Sequence, residues 1–118
     1  MVDREAIRRY AEDNFNTKTE RLWAKSPNHE VLRHGHNRKW YAIIMDVKKC
    51  KVGLEGDEMI DVLDIKCDTN MVSFLALQKG FSPAYHMNKE HWLTVILDGT
   101  VKDDEIFSLL DTSYEMTK

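Results

Sequence analysis

Between Gly80 and Leu97 the chain sets Tyr85, His86, Asn88, Lys89, His91 and Trp92 just ahead of an alternating apolar stretch, Leu93-Thr94-Val95-Ile96-Leu97. Aromatic rings stack on flat ligands, while Lys, Asn and His side chains reach phosphates or base edges. Such groups beside a rigid strand suit a contact surface. A second group of cations, Lys48, Lys49 and Lys51, lies on a connection that contains Gly53 and Gly56. Lysines on turns neutralise phosphates, and a β-hairpin can enter a groove of duplex DNA. Trp92 also fits a core position, and Lys89 also fits a solvated turn.

Catalytic chemistry has less to work with. Cys67 paired in space with His86 or His91 would make a nucleophile and base, and these three residues are the candidates for a small-ligand site. Yet Cys67 ends the apolar run Leu63-Asp64-Ile65-Lys66-Cys67, where a buried thiol is commonplace, and no glycine-rich elbow accompanies it. His86 and His91, like His34 and His36, fall short of the roughly four nitrogen or sulfur ligands of a zinc site. The chain has no paired CxxC, HExxH, GxGxxG or Walker A sequence. These residues predict a non-enzymatic binding protein without a cofactor or metal.

The 118 residues suffice for one domain, taken as 1–118, and 42% hydrophobic with 31% charged residues is ordinary for a soluble globular chain. No run approaches the roughly 18 apolar residues of a membrane span. Met1-Val2-Asp3-Arg4-Glu5 has no apolar stretch behind it, which predicts no secretory leader. Cys50 and Cys67 do not make a disulfide framework and read as reduced thiols in a cytoplasmic protein. The net charge is −3, against a strongly basic nucleic-acid binder, but charge is segregated. Arg33, Arg38, Lys39, Lys48, Lys49 and Lys51 form a basic stretch; Glu55, Asp57, Glu58, Asp61 and Asp64 form an acidic one. A dipolar surface of this kind can hold a phosphate-binding face.

The elements that position these groups follow from periodicity. Ile7, Tyr10, Ala11 and Phe15 predict a helix from about Val2 to Asn14. Glu30 to Arg33 reads as a short strand and Lys39 to Val47 as a central one, with Trp40, Ala42 and Ile44 on one face and Tyr41, Ile43 and Met45 on the other. Leu22 and Trp23 are expected to tuck beneath the loop between the first helix and these strands. Met59 to Lys66 alternates as a strand with one buried face. Asp68 caps a helix from Thr69 to Gln78 that Gly80 terminates. Ser82 to Met87 and His91 to Leu97 read as paired strands joined by Asn88-Lys89-Glu90. A last helix runs from Asp103 or Asp104 to about Met116. The order α-β-β-β-α-β-β-α predicts an α+β, two-layer fold, an antiparallel sheet packed by helices.

The pattern HxNKxHWxTVxLDG over His86 to Gly99, with Asp64-Ile65-Lys66-Cys67-Asp68 and Ser113-Tyr114, resembles the MmcQ/YjbR family of small bacterial proteins over nearly the whole chain. Gly53-Leu54-Glu55-Gly56-Asp57-Glu58 is similar to a connection in one branch of that family. The resemblance implies a fold similar to type III secretion chaperones and, more distantly, frataxin-like proteins. It also implies binding to double-stranded DNA through two β-hairpin wings, here around Lys48 to Gly56 and around Met87 to Glu90. Lys66, His86, Asn88, Lys89, His91 and Trp92 stand at the matching motif positions. The chain departs from the family at its early Pro-Trp-Gly type turn, represented by Leu22-Trp23-Ala24-Lys25, and soon after Tyr114, where many relatives continue.

The expectation is therefore a cytoplasmic binding domain that contacts DNA through Lys48, Lys49, Lys51 and Lys89. The alternative is a protein- or peptide-binding module that adds a partner strand to an exposed sheet edge.

Overall fold

Two aspartates start helices by accepting amide protons that the first turn leaves unpaired. Asp3 accepts from the Ala6 amide at 2.9 Å, and Asp68 from the Met71 amide at 3.0 Å. The computed structural model, which describes residues 1–118, runs α1 (Arg4–Phe15), β1 (Glu30–Arg33), β2 (Trp40–Lys48), β3 (Met59–Lys66), α2 (Thr69–Leu75), β4 (Phe81–Pro83), β5 (Trp92–Ile96) and α3 (Asp103–Thr117). This is the order and the α+β class read from the sequence. The strands form one antiparallel sheet in the order β1-β2-β3-β5-β4.

The helices cover one face. Ile7 and Ala11 of α1, with Ile106, Leu109 and Leu110 of α3, share a core with Ala42, Ile44, Leu63, Ile65, Leu93 and Val95 of the sheet. Aromatic stacking fixes the two long helices together: Tyr10 lies on Phe107 with centroids 4.4 Å apart, and Phe15 on Tyr114 at 4.0 Å. The Tyr10 hydroxyl donates to Asp111 at 2.7 Å.

A buried ion network ties α1 to the strands. Glu30 is 1% exposed. It receives Arg8 through Nε at 2.7 Å and Nη2 at 2.6 Å, Arg4 at 3.0 Å and the Thr19 hydroxyl at 2.7 Å. Arg4 also grips both oxygens of Asp61, at 3.0 and 2.7 Å. Burial alone would push the Glu30 carboxyl up; the two guanidiniums and the hydroxyl outweigh it and hold the group at about 2.

The predicted faces of β2 need one correction. Leu32 pairs with Ala42 but Arg33 with Trp40, so Tyr41 is an extra residue in the ladder. This bulge shifts the alternation by one. Tyr41 joins Ala42 and Ile44 in the helix-side core, and Trp40 joins Ile43 and Met45 on the other face. β3 is buried on both faces rather than one, with Val62, Leu63, Asp64 and Ile65 all at 0% exposure. α2 is shorter than expected, ending at Leu75. Gly80 follows at φ +93, and a Cβ there would meet Val101 Cγ2 at 2.6 Å, so both backbone and space demand glycine.

Candidate functional site

The second sheet face has no α-helix on it. Its apolar floor, Val31, Ile43, Met45, Val47, Val62 and Ile96, is covered by the two connections that carry the candidate lysines. The first joins β2 to β3. Lys49–Val52 forms a 3-10 turn capped by Gly53 at φ 82, and the Leu54 amide returns to the Lys49 carbonyl at 3.0 Å. Val52 and Leu54 thereby turn down onto the floor.

The second connection spans residues 84–91 and lies flat. The strands predicted to continue to Met87 and to begin at His91 are shorter, Phe81–Pro83 and Trp92–Ile96. His86 adopts φ 65, a left-handed conformation that ends strand pairing. Asn88 then closes the turn, its side chain accepting from the Glu90 amide at 2.8 Å and its carbonyl from the Trp92 amide at 3.0 Å. Tyr85 and Met87 pack onto the floor. By strand direction the two connections leave opposite ends of the sheet. They bend over the same face, and Lys51 and Tyr85 meet at the wall of shared cavities. Neither connection projects as a free hairpin wing. Each carries apolar residues that gain more from burial than from water.

A carboxylic acid lies beneath the second connection. Asp64, 0% exposed, accepts from the Thr94 hydroxyl at 2.5 Å, and that hydroxyl oxygen accepts the Tyr85 amide at 3.0 Å. The other Asp64 oxygen has no hydrogen-bond partner. Burial pushes the Asp64 carboxyl up to about 7, opposed by the Thr94 bond and the Lys89 charge. Lys89 itself donates to the Ala84 carbonyl at 2.9 Å, so its ammonium is turned into its own loop.

The remaining sequence candidates divide. Lys49 is held by Glu58 at 2.9 Å. Lys48 and Lys51 are exposed and enter no ion pair. Lys66 and Trp92 are opposite one another at the other end of the sheet, with Trp92 buried at 8% exposure. His86, Asn88 and His91 are exposed. Cys67 is not assembled with the histidines. Its side chain is in the helix-side core, where burial pushes the thiol up to about 11, and only its backbone amide meets the His91 carbonyl, at 2.9 Å. No three His, Cys, Asp or Glu side chains are grouped to hold a metal ion.

Sequence reasoning missed the opposite wall of this face. Leu22 and Trp23 do not tuck under their loop; they are 43% and 39% exposed. The Trp23 ring meets Trp40 edge-to-face at 5.7 Å and His29 at 6.0 Å. These three rings, with Met45, His86 and Met87, line a cavity of about 310 Å³. A second cavity of about 310 Å³ continues from Ser26, His29 and His86 to Lys48 and Lys51. Together they form a trough along β2, floored by Ile43, Met45 and Val47 and walled by Trp23, Ser26 and His29 on one side and by Tyr85, His86 and Met87 on the other. The sequence held the two tryptophans, Trp23 and Trp40, but the bulge that turns Trp40 to this face shows only in the β1–β2 pairing.

A five-stranded antiparallel sheet with helices on one face and lysine-bearing loops folded over the other defines a small α+β domain. A family model described as YjbR matches residues 14–116, and the chain belongs to that family. It is 38% identical to the protein YyaQ of Bacillus subtilis over 118 residues, the full length of both. It is 52% identical to the Escherichia coli protein YjbR over 33 residues, 28% of each chain. A crystal structure of a Pseudomonas syringae protein is similar with TM-score 0.96 and 42% identity, covering 99% of this chain and 100% of that one. A Deinococcus radiodurans protein shares the fold at TM-score 0.71 and 23% identity, over 95% of this chain and 75% of that one.

Proposed function

We propose that this chain is a non-catalytic nucleic-acid-binding domain, with DNA as the ligand, acting through the second sheet face. The observation that carries this reading is the pair Lys48 and Lys51. Both are exposed and free of ion pairs, and both line one end of a trough walled by tryptophan and imidazole rings. Cations beside stacking surfaces are the usual means of holding a nucleic-acid backbone and its bases. Asp46, which also borders the trough, is engaged by the Asn28 amide at 2.9 Å and by His29 at 3.8 Å, which tempers its repulsion of phosphate. The non-catalytic part rests on the buried Cys67 thiol and the sealed Asp64 carboxyl.

The peptide reading by strand addition draws little support from the sheet edges. Glu20 already exchanges backbone hydrogen bonds with Val31 outside β1, at 2.9 and 2.8 Å. At the other edge β4 is three residues long and ends in Pro83. The free thiols Cys50 and Cys67 suit a reducing compartment, the cytoplasm, and no helix is long and apolar enough to cross a membrane.

Fluorescence anisotropy with labelled DNA, as single strand and as duplex, tests the reading at two salt concentrations. Binding should weaken steeply between about 50 and 200 mM salt, and K48A/K51A should flatten that dependence by about one to two counterions. Lys49→Ala, which removes a lysine already paired with Glu58, should change it least. No signal for either DNA form at high protein concentration would end this reading.

A further inference from the structure

We propose that the trough along β2 is a single-strand site, in which unstacked bases lie against Trp23 and Trp40 while Lys48 and Lys51 hold the backbone. The inference rests on the nucleic-acid reading above and deepens it by naming the form of ligand.

Three observations carry it. First, the geometry is a channel. β2 has nine residues, so Trp40 and Lys48 stand about 27 Å apart at the usual rise per residue. That length suits several nucleotides in file rather than one small ligand. Second, the chemistry is graded along it. The Trp40 end offers ring faces, thioethers and no carboxylate among its lining residues, and the Lys48 end offers two free cations. Bases stack on aromatic faces without regard to sequence, and lysines neutralise the phosphates that follow. Third, a duplex meets a poor surface here. Major-groove readers insert a helix or ribbon, yet both connections lie folded on the floor through Val52, Leu54, Tyr85 and Met87. Base faces are hidden in a duplex and reach Trp23 only when unstacked. An extended acidic peptide is the competing occupant, and it would use the lysines but have no base to stack.

The test uses the intact chain with three probes: a fluorescein-labelled oligothymidylate of about ten nucleotides, a blunt duplex of matched length, and an acidic peptide. Anisotropy reports binding, and tryptophan emission reports contact at Trp23 and Trp40, because Trp92 is buried at 8% exposure. The expected result is single-strand binding at least tenfold tighter than duplex, with quenched emission. Trp23→Ala should weaken the oligothymidylate at least tenfold while leaving the melting temperature near the parent value, since Trp23 is 39% exposed. Trp23→Phe, which keeps a stacking face, should recover part of the loss. Equal binding of duplex and single strand with no effect of Trp23→Ala would overturn the assignment and leave the nucleic-acid reading standing. Emission changes with the acidic peptide and none with either DNA would overturn both.

Discussion

Asp64 is the residue whose ionisation the fold resists most. Its carboxyl is pushed up to about 7 from an ordinary 3.8. Between those values the folded chain holds a proton that the unfolded chain has released. Stability therefore falls as pH rises through that window, by up to about 4 kcal/mol at the scale of 1.36 kcal/mol per unit. Asp64→Asn keeps a carbonyl oxygen for the Thr94 hydroxyl and removes the titration. Urea unfolding at pH 5 and pH 8 should show the variant gaining on the parent at the higher pH; parallel changes in the two proteins would contradict this. His34 works in the opposite sense. Burial pushes it down, so its contribution is lost as pH falls through its ordinary value near 6.5. It is common to both proteins and cancels from the comparison. Alternation along β3 puts Asp64 on the same face as Val62. That this face is sealed was not legible, because the seal is a loop from residues 84–91.

At the scale of elements, α1 is held by charge as well as by packing. Arg8→Ala takes two of the four hydrogen bonds from buried Glu30 and leaves it only Arg4 and Thr19, so it should cost about 2 kcal/mol, read as a lower urea midpoint at unchanged m-value. The Glu30 carboxyl, held at about 2, adds stability that is present above its ordinary 4.5 and lost as pH falls toward 2. An acid unfolding curve of Glu30→Gln should accordingly begin lower in stability and change less across that range. Gly80→Ala combines a positive φ with a 2.6 Å approach to Val101 Cγ2 and should lose about 2 kcal/mol, measured by thermal unfolding. The strands and helices themselves were legible from period and caps. The face of Trp40 was not, because a bulge at Tyr41 is a property of the β1–β2 pairing and leaves the alternation of β2 intact in the sequence.

The whole molecule divides a basic stretch that looks continuous in the sequence. Arg33 is spent on Glu20, through Nε at 2.5 Å, and Arg38 reaches the same carboxylate at 3.8 Å. Lys39 stands just before β2 and Lys48 ends it, so an extended strand holds them about 30 Å apart. Beyond a Debye length of about 8 Å such charges do not act jointly. The double variant Lys39→Ala, Lys66→Ala, at the end of the sheet away from Lys48, should leave DNA titrations within about twofold of the parent, whereas K48A/K51A should not. An equal loss in both variants would spread the interface over the entire face.

The sequence alone determined the element order, the α+β class, the helix cap at Asp68 and the family, because each depends on residues close together along the chain. Only the tertiary structure decided that both lysine-bearing connections fold onto one face, that Lys49 and Lys89 are occupied while Lys48 and Lys51 are free, and that Trp23 faces Trp40 across a trough. The physical reason is that loops are placed by what they cover. Val52, Leu54, Tyr85 and Met87 are drawn to an apolar sheet face assembled from strands far apart in the chain, and the charges beside them go where that burial leaves them.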